Sequence, residues 1–364
     1  MRTLALLLLL TACGSDHDIS MVTYNAGLAT GFVPAADSRT PMVADALATL
    51  DADIVCLQEV WTVDQVKAVQ DATADAYPHS YWPDTAQEVM TEPACPDGQA
   101  DDIVACMEDD CGGLCPDDLV DCLFERCIIP FINLEPTCAR CTMAHVGTAE
   151  PQEVLETCTT GGIEYTYGGS FGTAILSTVP LIGTETRPFD STTSQRSMLH
   201  ATAETKKGDI DLWCTHLTAG LGAIPYPRDE GSWEEEQAVQ ALQLADWLKD
   251  APRPVALLGD LNNGIAGPNI DSEFEANYQA LIDAGLSDPY QDLDGRCTFC
   301  PENHLNGIDS DETGRLIDHI LIDGFQGEAT VDRLFDETLV VDRCGNDLEG
   351  NLSDHFGVLV HIAL

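Results

Sequence analysis

The sequence is poor in positive charge. It contains 16 Lys and Arg residues against 62 Asp and Glu residues, which gives a formal net charge of -46 at pH 7. Such a surface repels phosphate backbones unless a metal ion or a local basic patch intervenes. The composition therefore argues against broad nucleic-acid affinity but is compatible with a metal-dependent site. An acidic surface also suits salt tolerance or solubility.

The chain also lacks long apolar runs. The longest is N-terminal, where Arg2 is followed by a short run that ends at Leu10. It is too short to span a membrane as a mature helix and is typical of a secretory signal. The sequence Leu10-Thr-Ala-Cys13-Gly resembles a bacterial lipoprotein box, which implies cleavage before Cys13 and a lipid on its sulfur. We therefore predict a signal peptide at 1–12 and a lipid-anchored mature chain at 13–364 in the bacterial cell envelope, with ordinary secretion as the alternative.

Cysteine, by contrast, is abundant, with 15 residues. Export makes disulfides the default interpretation for most of them. Cys56 and Cys214 lie within strand-like runs, and for these two we predict buried thiols. Nine others lie in the segment 95–158. Because nine is odd, at least one of them should pair outside that segment.

Residues 84–164 interrupt the regular pattern and form a cysteine-rich insert. This segment carries 18 acidic and two basic residues. Cysteines spaced four to five residues apart lie near one helix face. We predict two short helices stapled as a hairpin by Cys106–Cys127 and Cys111–Cys122. A zinc cluster is the rival interpretation, but no His is interleaved and export favours disulfides.

The segment 128–134 is unusually apolar for so acidic an insert. It suits a small core beneath the stapled helices, or a tip that touches a membrane. The insert as a whole either covers a site or stabilises an exported protein.

Polar side chains stand at the ends of five predicted strands, where a core strand should stop: Asn25; Glu59; His216; Asp260 with Asn262; and Asp354 with His355. Asp318 lies inside another apolar strand, where an unpaired carboxylate is costly, so it needs a partner such as a histidine. Open sheets commonly build sites at a rim on which strand ends converge. We therefore expect these side chains to form one site.

This set of side chains suits the hydrolysis of a phosphate ester. Glu59 offers a hard oxygen ligand for Mg²⁺ or Mn²⁺. A bound metal neutralises charge on phosphoryl oxygens. A histidine oriented by a carboxylate accepts a proton from water near neutral pH. The sequence therefore predicts a metal-dependent phosphoesterase.

Six short motifs in this order resemble those of the endonuclease/exonuclease/phosphatase superfamily, which includes deoxyribonucleases, neutral sphingomyelinases and inositol-polyphosphate 5-phosphatases. The resemblance covers about 18–83 and 165–364. It implies an α/β (α+β) fold, a four-layer α/β/β/α sandwich of two mixed sheets. The motifs are Tyr24-Asn25, Leu57-Gln-Glu59-Val, Thr215-His216-Leu, Gly259-Asp260-Leu-Asn262, Arg315-Leu-Ile-Asp318-His-Ile and Ser353-Asp354-His355.

The resemblance implies a role for each matching residue. Glu59 resembles the main metal ligand, with Asn25 and Asp354 beside it. His355 resembles the general base, oriented by Asp318. Attack on phosphorus would be in line, without a covalent enzyme intermediate.

The remaining matches concern the attacking water and the phosphate. Asp260 and Asn262 resemble the pair that positions both, and His216 resembles a second histidine that binds a phosphoryl oxygen. Arg196 matches a phosphate-side arginine. Thr173 stands where the family usually has a substrate-binding asparagine.

Two further departures fall in one motif. Arg315 lies three residues before Asp318, one position from the family's usual arginine. His319 replaces the common tyrosine.

We predict an exported phosphodiesterase, and two substrates suit it. The favoured one is a phospholipid head group, as for a sphingomyelinase; the alternative is nucleic acid, as for an extracellular deoxyribonuclease. A hypothesis of another class is a catalytically silent surface module that binds a partner through the insert. A separate hypothesis is Ca²⁺ binding at 309–314, which resembles half a calcium loop but lacks its later bidentate glutamate.

Overall fold

A computed structural model describes residues 18–84, 92–96, 98–145, 147, 149–162, 165–221, 226–228, 230–308 and 312–364. The predicted signal peptide, Cys13 and residues 309–311 of the calcium hypothesis lie outside these ranges, so those hypotheses stay predictions. Within these ranges, no helix combines the length and the apolar character needed to cross a bilayer.

The described chain contains 13 strands, most of which belong to two sheets. They are β1 (Asp18–Asn25), β2 (Ile54–Gln58), β3 (His79–Tyr81), β4 (Ala174–Ser177), β5 (Leu181–Pro188), β6 (Ser197–Thr205), β7 (Gly208–His216), β8 (Val255–Asp260), β9 (Asp318–Asp323), β10 (Gln326–Leu334), β11 (Leu339–Arg343), β12 (Asn346–Gly350) and β13 (Gly357–Ala363).

The helices fall into two groups, one that flanks the sheets and one within the insert. They are α1 (Ala36–Ala48), α2 (Val63–Thr73), α3 (Asp101–Cys111), α4 (Leu119–Arg126), α5 (Ile128–Ile132), α6 (Pro136–His145), α7 (Pro151–Thr160), α8 (Trp233–Lys249), α9 (Glu275–Asp283) and α10 (Pro289–Leu293). Ser232 caps α8 by accepting a hydrogen bond from the backbone N–H of Glu235.

Both main sheets are mixed. One has the strand order β10-β13-β1-β2-β4-β3, and the other has the order β5-β6-β7-β8-β9. In each sheet one central pair is parallel, β1 with β2 and β7 with β8, and the other neighbours are antiparallel. A small antiparallel pair, β11 with β12, stands apart.

The alternation of side chains along each strand builds the layers. In β1, Met21 belongs to the apolar cluster between the sheets, whereas its neighbour Val22 packs outward with residues of α1 and α2. In β8, Leu258 lies between the sheets and Leu257 packs outward against α8 and α9. Successive side chains of a strand point to opposite faces, so each sheet is buried on both sides. The predicted four-layer α/β/β/α sandwich is confirmed.

One cysteine prediction was wrong. Cys56 of β2 and Cys214 of β7 are not free thiols but form a disulfide across the space between the sheets, with their Cα atoms 5.5 Å apart. Both side chains point into that space. Strand patterns show that each is buried but not that they face each other, because that depends on how the two sheets pack.

The insert forms its own small apolar cluster, separate from the sandwich. Both predicted pairings, Cys106–Cys127 and Cys111–Cys122, are present and join α3 to α4. The sequence missed the further helices α5, α6 and α7. Cys95–Cys138 and Cys141–Cys158 also lie within the insert, and Cys297–Cys300 lies within the sandwich.

One disulfide ties the insert to the sandwich. Cys115 pairs with Cys344, which follows β11, as the odd number of insert cysteines required. Arg343 forms ion pairs with Asp117 and Asp118, and the backbone N–H of Ala35 donates to Asp117 at 2.7 Å. The insert therefore lies against the loop between β1 and α1.

Candidate active site

The polar strand ends meet at one rim of the sandwich. In the second sheet, His216 ends β7, Asp260 ends β8 and Asp318 begins the antiparallel β9. These three residues are direct register partners, His216 with Asp260 and Asp260 with Asp318. In the first sheet, Asn25 ends β1 and Glu59 immediately follows β2. The rim therefore collects side chains from both sheets.

His355 and two carboxylates form the centre of this rim. Nδ1 of His355 lies 2.8 Å from Oδ2 of Asp318 and 3.9 Å from Oδ2 of Asp260. Nε2 of His216 lies 3.4 Å from the same Asp260 oxygen. All four side chains are buried. The contact with Asp318 leaves Nε2 of His355 directed away from that carboxylate, 4.0 Å from Oδ2 of Asp354.

The two histidines experience opposite fields. Burial, and then the Arg196 and His355 charges, lower the pKa of His216 well below its usual value. Burial alone would lower the pKa of His355 as well, but the carboxylates of Asp318, Asp354 and Asp260 raise it well above the usual value. The two imidazoles therefore suit different roles.

The carboxylates repel one another. Burial, and then the nearby Asp318 carboxylate, raise the pKa of Asp260 to about 7. Burial, and then Asp354, raise the pKa of Glu59. Such crowding of buried acids favours a bound cation, which would relieve the repulsion.

Three predicted metal ligands lie at the first sheet's part of the rim. Nδ2 of Asn25 lies 3.2 Å from Oε1 of Glu59 and 2.8 Å from Oδ2 of Asp260. Asp354 is fixed by Ser353, whose Oγ lies 3.1 Å from its Oδ1. A Cβ on Gly27, which has φ of 54°, would lie 2.1 Å from that oxygen, so only glycine allows the backbone to approach Asp354.

Two residues of the rim have strained backbone conformations. Glu59 and Asn262 adopt positive φ angles of 58° and 48°, a conformation that is uncommon for residues other than glycine. The backbone N–H of Asn262 donates to Oδ1 of Asp260 at 3.0 Å, and its Nδ2 donates to the carbonyl of Leu217. These contacts hold Asn262 in place despite the strain.

The residues at the rim fit a hard divalent metal. Glu59 and Asp354 supply carboxylate oxygens, the ligand type that Mg²⁺ and Mn²⁺ prefer. Asn25 directs its amide nitrogen at Glu59, and its amide oxygen accepts a hydrogen bond from the N–H of Gly27 at 2.9 Å. Among the described residues, Oδ1 of Asp318 and Nδ1 of His216 are buried without a hydrogen-bond partner. Buried polar groups are rarely left so, which indicates that water, metal or substrate completes the site.

Above the rim lies a cavity of about 350 Å³, here called the catalytic cavity. Glu59, His216, Asp260, Asn262, Asp354 and His355 all contribute to its lining. Its walls are aromatic, and sequence reasoning missed them. Trp61 stacks on Tyr167 with ring centroids 5.0 Å apart, and Phe299 lies 5.0 Å from the His355 ring. Trp61 follows the predicted site residue Glu59 by two residues, and this proximity was the only sign in the sequence of an aromatic wall.

The two predicted phosphate-side residues lie apart. Arg196 lines the catalytic cavity, and its guanidinium lies 5.9 Å from the centre of the Trp61 ring. Thr173 lines a neighbouring cavity on another side of Trp61, and its Oγ1 is buried without a partner among the described residues. The structure therefore places Arg196, but not Thr173, beside the other site residues.

Arg315 and His319, the two departures from the family motif, lie in different environments. Arg315 lines the catalytic cavity and forms an ion pair with Glu273 at 3.0 Å. His319 is fully buried away from that cavity, with Nδ1 2.6 Å from Asp288 and Nε2 2.9 Å from the carbonyl of Asn263. His319 is thus a structural residue.

A four-residue disulfide loop, Cys297 to Cys300, connects the segments that carry Asp318 and His355. Oγ1 of Thr298 accepts hydrogen bonds from the backbone N–H groups of Ile317 and Asp318, each at 3.2 Å. The carbonyl of Thr298 accepts from the N–H of Phe356 at 2.9 Å. Thr298 therefore connects the strand that carries Asp318 to the segment that carries His355.

The comparisons with known proteins agree with this geometry. A sequence profile of the endonuclease/exonuclease/phosphatase family matches residues 22–355. No curated protein sequence matches the chain significantly.

Solved structures share the fold at low sequence identity. A beta toxin mutant from Staphylococcus aureus with bound magnesium ions has a TM-score of 0.55 at 13% identity, over 94% of this chain and 99% of that chain. Sphingomyelinase C from Streptomyces griseocarneus has a TM-score of 0.54 at 16% identity, over 95% and 99%. TDP2 from D. rerio, complexed with a single-strand DNA product, has a TM-score of 0.55 at 16% identity, over 96% and 100%.

Proposed function

The chain belongs to the endonuclease/exonuclease/phosphatase family of metal-dependent phosphoester hydrolases, and we propose that it is an exported phosphodiesterase that acts on phospholipid head groups. The observation that carries the hydrolytic part is the rim itself. Two histidines with opposite pKa shifts and several crowded carboxylates line one cavity. Paired groups with displaced pKa values are typical of acid–base sites.

The chain's own residues divide the work as follows. Neutral His355 accepts a proton from water at Nε2, while Asp318 holds its Nδ1 at 2.8 Å and fixes the ring. Asp260 and Asn262 position the water and the phosphate. His216 binds a phosphoryl oxygen, and Arg196 adds positive charge at the same cavity. The water attacks in line with the leaving oxygen.

Glu59, Asn25 and Asp354 would hold the metal. A bound Mg²⁺ or Mn²⁺ supplies positive charge that stabilises the phosphoryl oxygens. The same charge would oppose the carboxylates that raise the pKa of His355. This matters because only the neutral imidazole accepts a proton.

Three features support a lipid substrate. The net charge of -46 is ill suited to nucleic acid. The catalytic cavity has aromatic and apolar walls, among them Trp61, Tyr167 and Phe299, which suit an amphiphile. The fold is shared with a protein named sphingomyelinase C. Disulfides within the chain are compatible with export.

A nuclease is the second candidate, and one observation favours it. Arg196 and Arg315 both line the catalytic cavity of this otherwise acidic protein and would attract a phosphate backbone locally. The fold is also shared with TDP2, which was solved with a DNA product.

A hydrolysis panel tests the proposal. The soluble form starting at Ser15 is given sphingomyelin vesicles, plasmid DNA, a phosphoinositide and bis(p-nitrophenyl) phosphate, each with Mg²⁺ and with EDTA. We expect EDTA-sensitive release of head groups from the vesicles. DNA nicking without head-group release would select the nuclease, and inactivity on every substrate would favour the catalytically silent binding module.

We further propose that the mature protein is anchored to the cell envelope by a lipid on Cys13. Labelling cells with a radioactive fatty acid should mark the wild-type protein but not the Cys13→Ala variant. Equal recovery of both proteins from the soluble fraction would favour ordinary secretion.

A further inference from the structure

A second, smaller cavity lies where the insert meets the sandwich. It has a volume of about 160 Å³ and runs between helices α5 and α6 on one side and the segment 226–228 on the other. Its lining includes Phe131, Leu134, Ala139 and Met143 from the insert. We call it the insert groove.

The insert groove adjoins the catalytic cavity. Thr193 lines both of them. The carbonyl of Thr193 accepts a hydrogen bond from the N–H of Thr166 at 2.7 Å, and the Thr166 hydroxyl lies 2.7 Å from that of Ser194. The boundary between the two cavities is therefore fixed by hydrogen bonds. The two cavities thus share Thr193 as a common wall.

Arg140, Tyr226 and Arg228 are charged or polar residues that line the insert groove, and the last two bond to residues that do not line it. The Tyr226 hydroxyl donates to Glu236 at 3.0 Å. The Arg228 guanidinium donates to both oxygens of Asp190, at 3.1 and 2.7 Å. A nucleobase or a peptide placed here would leave its own polar groups without partners at these positions, which is costly. A hydrocarbon chain has no such requirement.

The size and surroundings of the groove also suit hydrocarbon. A volume of this order is known to bind a small hydrocarbon such as benzene when its walls are apolar. Ile132 of α5, which lines the groove, is 53% exposed, although the insert is strongly acidic. An amphiphile that enters the groove can cover part of this apolar surface.

We propose that the insert groove binds a hydrocarbon chain of an amphiphilic phosphodiester whose phosphate lies in the catalytic cavity. The inference rests on the proposed function, because it takes the rim as the place where the phosphate binds. It gives the insert a role in substrate selection, since the family motifs lie outside the insert.

Chain-length dependence of binding tests this directly. The full mature protein in EDTA, where no turnover is expected, is titrated calorimetrically with alkyl phosphocholines of four to twelve carbons, each below its micellar concentration. We expect the Kd to fall about fourfold for each added methylene while the groove fills, and then to level off. A Kd that does not depend on chain length would overturn the proposal.

Two variants fill the groove from opposite walls, Ala139→Trp in the insert and Pro227→Trp in the sandwich. Either should remove most of the chain-length dependence and leave Mg²⁺-dependent hydrolysis of bis(p-nitrophenyl) phosphate unchanged. Ile129→Trp is the matched control, because Ile129 is exposed on α5 and does not line the groove. If chain-length dependence persists in both filled variants, the chain binds elsewhere and the proposal is wrong.

Different results would disprove the proposed function and the proposed role of the groove. Hydrolysis of phosphodiesters without any chain-length effect would remove the groove and retain the enzyme. Absence of hydrolysis on every substrate, with a chain-length effect that the filled variants abolish, would retain the groove as a hydrocarbon site and remove the proposed function.

Discussion

The sandwich and the insert are held together by different forces. In the sandwich, two sheets bury apolar side chains on both faces. These side chains form three clusters, to which both the strands and the flanking helices contribute. The helices of the insert have between five and 11 residues, and helices this short are marginal alone in water. Four disulfides within the insert compensate for its small apolar cluster.

The two regions also differ in role, since the catalytic residues and the walls of the groove come from different parts of the chain. Every residue to which we assign a catalytic role lies on the sandwich, at the ends of its strands. The insert contributes Phe131, Ala139 and Met143 to the neighbouring groove. We therefore expect changes in the sandwich rim to affect turnover, and changes in the insert to affect stability and substrate preference.

The largest expected effect is on turnover. Replacing His355 with Ala removes the proposed base and should lower kcat on bis(p-nitrophenyl) phosphate by about 10²- to 10⁴-fold. The protein should remain folded, but its thermal unfolding midpoint should fall, because the buried Asp318 carboxylate loses its partner. As a control in the insert, the double variant Cys106→Ser, Cys127→Ser should retain turnover. Unchanged activity in His355→Ala would contradict the assigned mechanism.

The next effect concerns the link between the two regions. Replacing Cys115 and Cys344 with Ser should lower the free energy of unfolding of the insert by about 2–4 kcal/mol, because that disulfide ties it to the sandwich. Calorimetry should then show a separate, earlier transition. A single transition shifted as a whole would mean that insert and sandwich unfold as one unit. The matched double variant Cys56→Ser, Cys214→Ser should instead lower the temperature of the main transition, which is that of the sandwich.

A smaller effect is expected where the sandwich positions its own site. Thr298→Val removes the hydroxyl that accepts from the N–H of Asp318 and should reduce kcat about 10- to 100-fold, as loss of an outer supporting contact commonly does. Thr298→Ser keeps the hydroxyl and should retain most activity. An equal loss in both variants would indicate a packing role for Thr298, and a shift of the pH–rate profile in the Val variant alone would support positioning of His355.

The smallest effect is a pH dependence of sandwich stability. Burial alone would lower the pKa of His319, but the Asp288 carboxylate and its hydrogen bond raise it above the usual value. A raised folded pKa stabilises the fold fully below the unfolded pKa, about 6.5, and this contribution disappears as pH rises through the folded pKa.

Unfolding of the wild type and of Asp288→Asn should therefore be compared in urea from pH 5.5 to 8.5, with EDTA present. The variant keeps an oxygen to cap α10 but loses the charge. The stability difference between the two proteins should shrink as pH rises above 6.5. A difference that stays constant across this range would show that His319 does not change charge with pH.

Much of the rim could be predicted because strand ends are a local feature. A polar residue directly after an apolar strand, such as Glu59 or His216, is visible in the sequence. The walls of the catalytic cavity could not be predicted, because Tyr167 and Phe299 come from distant segments that meet only in the folded chain. Thr173 was predicted in the site from its neighbours in sequence, yet it lines a different cavity, which shares Trp61 with the catalytic cavity.

The sequence by itself determined most of the strands, their polar ends and the two disulfides that staple α3 to α4, because each depends on spacing along one or two neighbouring elements. Only the tertiary structure decided that Cys56 and Cys214 are bonded, that Cys115 reaches Cys344, and that a groove beside the insert opens at Thr193. These features depend on the packing of whole layers, in which apolar area, rather than local sequence, selects which surfaces meet.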